Sequence, residues 1–349
     1  MLDLIMSAIQ YPRTCDIILM RALLVLVLSL GGYQVPIGTA HAQAQDPMMK
    51  IFFIDVQGGA SSLVILPNGK TLLIDGGTQS IGGAILVKFL QEQNITRVDT
   101  ILATHAHRDH IGGLIDVINR FPVGEVLDPG IKVTGYPYDD FISAINSSNA
   151  QYKAVREGDE IILDPSVKIE VLNPPRSLSE GFDATYEDRD FLNNFSVIIK
   201  LSYGEFSILF PGDILSTTQE QFLDKPLDVN VLVAPHHGSS NSQNLQFLLA
   251  TSPEVVILSP GLGSEEALTQ DTFDKLEFAG VQQIVNTASE GTALLVTDGH
   301  MITIQTDETN RTITIPEFNN IQIIFVIAIG IILIPILIIQ YSKKPIGTK

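Results

Sequence analysis

Short apolar runs and stretches of helical spacing alternate through the middle of the chain. Three early runs are bounded by glycine or by the turn pair Asn68-Gly69, and they predict strands over 50–55, 62–66 and 71–75. Apolar residues three and four positions apart then predict helices over 81–93 and 111–120, with a strand over 99–103 between them. The first half of the chain is therefore a mixture of strands and helices.

The segment 134–189 is less periodic and richer in Pro, Tyr, Asp and Ser, and we interpret it as the variable, substrate-facing region. It predicts a helix over 141–147 and strands over 160–163 and 167–172. Regular patterning then predicts strands over 196–202, 207–210, 228–234, 254–258, 282–285 and 293–296, with helices over 217–223, 243–250 and 272–278. Together the two halves predict an α/β fold, in which two mixed β-sheets pack face to face with helices outside as an αββα sandwich.

The N-terminus differs from this middle part. Met20-Arg21 precedes the apolar run 22–30 and a stretch of small residues that ends at Ala42, which is the layout of a secretory signal peptide. Residues 1–42 are therefore predicted to be a signal peptide. Residues 1–19 add nothing to such a signal, which favours Met20 as the true translation start. A membrane helix at the N-terminus is the alternative.

The C-terminus differs as well. Residues 321–340 are almost wholly apolar and long enough to cross a bilayer, and residues 341–349 form a basic tail that should stay in the cytoplasm. This predicts an exported domain over 43–315, a juxtamembrane spacer over 316–320 and a single transmembrane helix, which anchors the domain on the extracytoplasmic side of the cell membrane. A buried core helix over 321–340 is the alternative.

Charge and cysteine content exclude two kinds of chemistry. The chain has 21 Lys+Arg against 39 Asp+Glu and a net charge of −18 at pH 7, so tight non-specific binding of nucleic acid is not expected. Its one cysteine, Cys15, lies in the predicted signal peptide. Disulfide and thiolate chemistry are therefore excluded from the exported domain.

A dense cluster of metal-capable side chains follows the predicted strand 99–103. His105, His107, Asp109 and His110 fall within six residues, where the strand ends and a helix begins. His105 and His107 point to the same side because side chains alternate along a strand, and the following turn can swing Asp109 and His110 towards a neighbouring point. Imidazole and carboxylate ligands together suit zinc, manganese or iron.

Two further strand ends carry similar residues. His236 and His237 follow the predicted strand 228–234, and Asp213 follows the strand 207–210. The alternative interpretation is that the aspartates cap helices and the histidines lie on the surface. Three strand ends with metal-ligand chemistry instead favour one metal site at one edge of a sheet.

The pattern His105-x-His107-x-Asp109-His110 after a strand resembles the signature of metallo-β-lactamase-fold hydrolases. The runs 55–60, 73–77, 193–196, 212–214 and 236–239 are most similar to the hydrolase domain of ComEC-type competence proteins. The resemblance implies that His105 and His107 hold one metal ion, that Asp109, His110 and His237 hold a second, and that Asp213 bridges the two. The resemblance also implies that Asp55 and Asp75 orient histidine ligands and that Asn194 and Ser239 lie close to the metal ligands.

The chain departs from the family pattern in two respects. Family members often supply another histidine to the first metal before the Gly-Asp strand, whereas only Asn193 or Asn194 is available here, and an amide oxygen is a weaker ligand. We therefore expect two divalent ions, with zinc favoured, manganese as the alternative and one site weak. The chain also lacks the multi-helix membrane channel of competence proteins, so DNA uptake does not transfer to it.

These observations predict an exported, membrane-anchored metal-dependent hydrolase that uses a metal-bound hydroxide. Asp109 or Asp213 would steer the hydroxide, and His236, with the hydroxyl of Ser239, would bind or protonate the leaving group. A small molecule, and within that class a phosphodiester or short nucleotide, is the favoured substrate. Hydrolysis of a lactone, β-lactam or other acyl bond is one alternative, and a non-catalytic surface binding module is another. An arginine-rich or lysine-rich pocket would favour phosphate, whereas an apolar pocket would favour acyl substrates.

Overall fold

Two β-sheets pack against each other in the computed structural model, which describes residues 48–178, 183–260, 268–307 and 312–315. The predicted signal peptide, juxtamembrane spacer, transmembrane helix and basic tail lie outside the described residues. Within the described part of the chain, no helix combines the length and the apolar character that a membrane crossing requires.

The first sheet has nine strands among the described residues, in the order β17-β16-β15-β1-β2-β3-β4-β5-β7. It is mixed, because β1, β2 and β3 pair antiparallel whereas β3, β4, β5 and β7 pair parallel. The strands are β1 (Met49–Phe53), β2 (Ser62–Ile65), β3 (Thr71–Ile74), β4 (Val98–Leu102), β5 (Val123–Asp128), β7 (Gln151–Ala154), β15 (Ala293–Thr297), β16 (Ile302–Thr306) and β17 (Thr312–Ile315).

The second sheet has six described strands in the order β14-β13-β12-β11-β10-β8. It is also mixed, since β8, β10 and β11 pair antiparallel and β11 to β14 pair parallel. The strands are β8 (Val167–Asn173), β10 (Ile198–Tyr203), β11 (Phe206–Phe210), β12 (Val231–Val233), β13 (Val255–Leu258) and β14 (Gln283–Asn286). Two short strands, β6 (Lys132–Thr134) and β9 (Asp183–Thr185), form a separate parallel pair.

The described helices lie outside the two sheets, between the strands in sequence. They are α1 (Ile81–Glu92), α2 (Arg108–Arg120), α3 (Tyr138–Ser147), α4 (Arg189–Asn194), α5 (Ser216–Gln219), α6 (Leu245–Thr251), α7 (Gln270–Phe278) and α8 (Thr287–Glu290). Short 3-10 turns follow α5 and β12.

Alternating side chains along the strands build three apolar layers. In β1, Phe53 joins the layer between the sheets, whereas Phe52 faces the layer that contains α1 and α2. In β13, Ile257 lies between the sheets and Val256 faces the layer of α6 and α7. This two-residue period confirms the predicted αββα sandwich, because each sheet buries one face on the other sheet and the opposite face under helices.

The structure corrects several predicted elements. The predicted strand 160–163 is reduced to a single bridge between Glu160 and Glu170, because the chain turns at Asp164, whose carboxylate accepts the backbone N–H groups of Ser166 and Asn68. Strands β5, β6, β7, β9 and β17 and helices α4 and α8 were not predicted. In β5, Gly124 and Glu125 interrupt the apolar run that would have marked a strand.

Candidate metal centre

The candidate site lies at one edge of both sheets, where four described strands end. Asp75 follows β3, the segment 104–110 follows β4, Asp213 follows β11, and His236 and His237 follow β12. β3 runs parallel to β4, and β11 runs parallel to β12, so the carboxyl ends of each pair meet at the same edge. Open α/β sheets bind ligands at such edges.

Three buried imidazoles surround the start of α2. This helix begins at Arg108 rather than at the predicted Ile111, so His110 lies in its first turn. The Nε2 atom of His105 lies 2.9 Å from Nδ1 of His107. The ring centres of His105 and His110 are 4.1 Å apart. The strand end and the first helical turn together bring the three rings into one cluster.

Asp75 holds His110 in one orientation. Its Oδ2 atom lies 2.8 Å from Nδ1 of His110 and accepts a hydrogen bond from the Thr104 hydroxyl at 2.7 Å. Its Oδ1 atom accepts the Thr104 backbone N–H at 2.8 Å. Because a carboxylate accepts the proton on Nδ1, the Nε2 atom of His110 presents its lone pair to the site. This is the position that an orienting carboxylate needs.

One oxygen atom of Asp213 faces four imidazole nitrogens. Its Oδ2 atom lies close to the Nε2 atoms of His110 (3.1 Å), His237 (3.4 Å), His105 (3.7 Å) and His236 (3.9 Å). The side chain is buried, with 4% of Asp213 exposed. Asp213 thus contacts rings from both halves of the chain, and its role as a bridging ligand stays a prediction.

His236 and His237 lie in a tight loop with strained backbone angles. φ is 50° at His236 and 59° at His237, in the left-handed region that residues with a side chain rarely adopt. Nδ1 of His237 lies 3.1 Å from the Ser259 carbonyl oxygen, and Nδ1 of His236 lies 2.8 Å from the Ser242 hydroxyl. These contacts leave both Nε2 atoms facing Asp213.

Asp109 reaches the cluster from the first turn of α2. Its Oδ2 atom lies 3.3 Å from Nε2 of His237 and 4.0 Å from Nε2 of His110. Gly59, with φ of 93°, packs directly on the same turn, and a Cβ atom there would overlap the Asp109 carbonyl oxygen. The loop before β2 therefore requires glycine at this point in order to fix the start of α2.

Burial and charge divide the imidazoles into two groups. Burial lowers the pKa of His105 well below its ordinary value and that of His107 to about 4, so both rings are neutral at neutral pH. Burial also opposes charge on His110 and His237, but the adjacent carboxylates together outweigh it: Asp213 and Asp75 raise the pKa of His110, and Asp213 and Asp109 raise that of His237 to about 10. A divalent cation can replace the protons that such a cluster holds.

The donor set fits divalent cations. Two groups of ligand atoms each lie within 4.8 Å of one another, formed by His105, His110 and Asp213 and by Asp109, His110 and His237. The Nε2 atom of His107 is buried and has no hydrogen-bond partner among the described residues, which is costly without a ligand. Imidazole nitrogens and carboxylate oxygens suit zinc, manganese and iron, so the residues fit metal ions without deciding which metal binds.

A cavity of about 440 Å³ opens onto this cluster. Arg108, Tyr186 and Arg189 line it together with His107 and other members of the cluster. The Arg189 guanidinium lies 5.9 Å from the centre of the Tyr186 ring, and that ring meets the His107 ring edge-on at 5.6 Å. Among the described residues, the arginines in ion pairs with carboxylates are Arg97, Arg120 and Arg176 and not Arg108 or Arg189, so both charges are available to a ligand.

Tyr186 and Arg189 were not singled out by sequence reasoning. They lie just after β9, whose parallel pairing with β6 anchors the segment beside the site, and neither the pairing nor the short helix α4 leaves a periodic signal. The interpretation of 134–189 as substrate-facing agrees with their position in the cavity wall.

The side chains of three residues that the resemblance placed around the metals form no hydrogen bond with the cluster in the described part of the chain. Asp55 accepts the Gln57 backbone N–H at 3.0 Å, and it makes no described contact with a histidine of the cluster, because its short side chain turns back on its own loop. The Asn194 side chain accepts hydrogen bonds from Leu215 N–H and the Thr218 hydroxyl, and so fastens the segment after Asp213. Ser239 is not among the described residues that line the cavity.

The sequence profile of the metallo-beta-lactamase superfamily matches residues 55–262, which is more than half of the chain. The chain belongs to this superfamily. The metallo-beta-lactamase match includes every residue of the cluster, from Asp75 to His237. The family assignment and the donor geometry agree, so the chain is a metal-dependent hydrolase whose substrate neither observation names.

Curated relatives connect this metallo-beta-lactamase domain to competence proteins. Recombination protein 2 of Haemophilus influenzae is 25% identical over 223 residues, which cover 63% of this chain and 25% of that protein. ComE operon protein 3 of Bacillus subtilis is 24% identical over 230 residues, which cover 61% of this chain and 28% of that protein. A UPF0173 metal-dependent hydrolase of Thermodesulfovibrio yellowstonii is 29% identical over 136 residues, which cover 36% of this chain and 49% of that protein. The resemblance to the hydrolase domain of ComEC-type proteins is confirmed, and the chain spans about a quarter of the length of the two competence relatives.

Proposed function

We propose that this metal-dependent hydrolase cleaves phosphodiester bonds in small or short nucleotide substrates. The observation that carries the proposal is the presence of Arg108 and Arg189 in the wall of the cavity that opens onto the cluster. Guanidinium groups donate paired hydrogen bonds to phosphate oxygens, and these two lack an ion pair with a carboxylate among the described residues. An uncharged acyl substrate, such as a simple lactone or ester, would gain little from them.

The residues of the cluster and the cavity would have separate roles in this reaction. When bound, divalent metal ions lower the pKa of water and polarise the oxygen of the scissile group. His105, His107, Asp109, His110, Asp213 and His237 would hold these ions. Asp75 fixes the His110 ring through Nδ1. Arg108 and Arg189 would hold the phosphoryl oxygens.

His236 would serve the leaving group. Its ring lines the cavity, and Ser242 holds Nδ1 at 2.8 Å, so Nε2 lies on the side of Asp213, where a substrate would bind. Burial lowers the pKa of His236, and the neutral ring therefore prevails at neutral pH. A neutral imidazole in this position can donate a hydrogen bond to the departing oxygen, and the proton that this oxygen takes up would come from water.

The proposal also covers location and substrate size. The apolar stretch 321–340 and the signal-like N-terminus support an exported protein that is anchored in the cell membrane by one helix. The net charge of −18 opposes long polyanions, and this supports short nucleotides or other small phosphodiesters as substrates.

The direct test compares phosphodiester and neutral ester hydrolysis by the full chain and its Arg189→Gln variant. Loss of a charged hydrogen-bond donor costs about 1.5–3 kcal/mol, so kcat/KM for bis(p-nitrophenyl) phosphate should fall about 10-fold to 100-fold. Hydrolysis of p-nitrophenyl acetate should change little. Arg120→Gln is the control for loss of an arginine charge, because Arg120 pairs with Asp116 and does not line the cavity.

Three outcomes would overturn the proposal. Equal losses on both substrates would show that Arg189 supports the fold rather than binds phosphate. Efficient cleavage of lactones or other acyl substrates, with no phosphodiester turnover, would establish the acyl hydrolase instead. Metal binding without turnover of any substrate would favour a binding module.

A further inference from the structure

The rim of the cavity carries a strained turn between β3 and α1. Thr78 lines the cavity, and Ser80, two residues later, has φ of 70° and ψ of −79°. The Ile81 N–H donates to the Gln79 carbonyl oxygen at 3.1 Å, which closes a γ-turn of the rare, strained kind around Ser80. Backbone strain of this kind clusters at functional sites, which indicates a role for this part of the rim.

Tyr136 meets the same rim from another segment. Its hydroxyl donates to Oε1 of Gln79 at 2.7 Å, and 53% of the residue is exposed. Tyr136 follows the end of β6 by two residues, and the parallel strand β9 ends directly before Tyr186 of the cavity wall. The β6–β9 pair therefore brings one tyrosine to the wall and another to the rim.

The two tyrosine rings differ in what they contact. The Tyr186 ring meets the His107 ring edge-on at 5.6 Å, and the Arg189 guanidinium lies 5.9 Å from its centre. The Tyr136 ring is held at its hydroxyl end by Gln79, while more than half of the residue is open to solvent. An aromatic ring that is fixed at one end and exposed along its face can stack on a flat group of a ligand.

We propose that Tyr136 stacks on the nucleobase of a nucleotide whose phosphate is held by Arg108 and Arg189. The inference rests on the proposed function and deepens it, because it names nucleotides rather than base-free phosphodiesters as the substrate class. Thr78 belongs to the cavity wall, and the next residue, Gln79, contacts Tyr136, so the rim begins where the wall ends. Stacking does not distinguish one base from another, since every base has a π-face, and purine and pyrimidine nucleotides therefore both bind.

The test compares two probes that share a deoxyribose and a phosphate and differ only in the base. Isothermal titration of the full chain, equilibrated with Zn²⁺, gives the dissociation constants of thymidine 5′-monophosphate and 2-deoxyribose 5-phosphate. In wild type the base should tighten binding about 5-fold to 100-fold. Tyr136→Ala should lose most of this preference, and so should Tyr136→Leu, which keeps an apolar side chain for packing but has no π-face.

Two control variants separate the ring from its surroundings. Tyr136→Phe removes only the hydroxyl that contacts Gln79, so it should keep most of the preference for the probe with the base. Phe278→Ala removes another exposed ring, since Phe278 is 71% exposed at the end of α7 and is not among the residues that line the cavity. It should keep the full preference. Thermal unfolding of each variant verifies that it is folded.

Three results would overturn the role of Tyr136. They are the wild-type preference in both Tyr136→Ala and Tyr136→Leu, equal dissociation constants for the two probes in wild type, and no binding of either probe. Failure of the proposed function has a different signature. A preference for thymidine 5′-monophosphate without turnover of any phosphodiester would refute phosphodiester hydrolysis and retain the base site, whereas phosphodiester turnover without the preference would do the reverse.

Discussion

The carboxylate of Asp75 offers a sharp test of how the cluster prepares His110 for a metal. In Asp75→Asn, Oδ1 can still accept the Thr104 N–H, but an NH₂ group replaces the oxygen that lies 2.8 Å from Nδ1 of His110. Two N–H groups cannot face each other, so the ring proton should move from Nδ1 to Nε2. That proton would then occupy the lone pair that faces Asp213 at 3.1 Å.

The expected loss of metal affinity follows from the role of the oxygen atom that Asp75→Asn replaces. Removal of the outer partner of a metal-ligating histidine typically costs about 10-fold to 100-fold in metal affinity, which is about 1.4–2.7 kcal/mol. The free energy of unfolding of the metal-free protein should fall by only about 1 kcal/mol, because the Thr104 hydroxyl can rotate to accept a hydrogen bond from the new amide. Isothermal titration with Zn²⁺ and urea unfolding in chelator measure the two quantities separately.

Asp55→Asn is the matched control, since Asp55 is bonded to Gln57 and has no described contact with the histidines. It should keep the wild-type affinity for Zn²⁺. Wild-type affinity in Asp75→Asn would refute the account of His110, and an equal loss in Asp55→Asn would return the orienting role to both carboxylates, as the sequence resemblance implied.

Two further predictions concern the buried Asp128 at the end of β5 and Gly59 beside the start of α2. Burial raises the pKa of Asp128 to about 6, so its stabilising effect is complete below the unfolded pKa near 4 and is lost as pH rises through about 6, a change of about 3 kcal/mol. Asp128→Asn should therefore be more stable than wild type at pH 7 but not at pH 4, as measured by urea unfolding, and parallel pH profiles would contradict this. Gly59→Ala should displace Asp109 and weaken Zn²⁺ binding, with strain of about 1–3 kcal/mol. Gly69→Ala, which also has positive φ but meets nothing within 4 Å, should bind Zn²⁺ as wild type does, and equal metal affinity in the two variants would exclude the proposed overlap.

The sandwich was predictable because its strands are short, apolar and bounded by glycine or asparagine turns. Strand β13, for example, is a buried run whose limits differ from the predicted 254–258 by one residue. Strands β5 and β7 were missed because polar residues and glycine interrupt them, and their pairing depends on neighbours distant in sequence. Local patterns do not contain that long-range information.

The ligand types were visible in sequence because histidines and aspartates cluster at strand ends, whereas their supporting contacts were not. Asp75 and Asp55 look equivalent as carboxylates after opening strands, yet only Asp75 has a described contact with His110. The start of α2 at Arg108 decides how Asp109 and His110 enter the cluster, and packing against Gly59 decides that start. Tyr186 and Arg189 lie in the cavity wall because the β6–β9 pair holds their segment there. No short-range sequence pattern predicts that pair.

The central claim is that residues from both halves of the chain form one centre for two divalent ions. The most direct measurement is the metal content of the full chain, purified without chelator and equilibrated separately with Zn²⁺ and Mn²⁺, by inductively coupled plasma mass spectrometry. We expect about two ions per chain, and about one or fewer in Asp213→Ala, since Asp213 faces four of the imidazoles. The same metal content in wild type and Asp213→Ala, or no bound ion in either, would contradict the account.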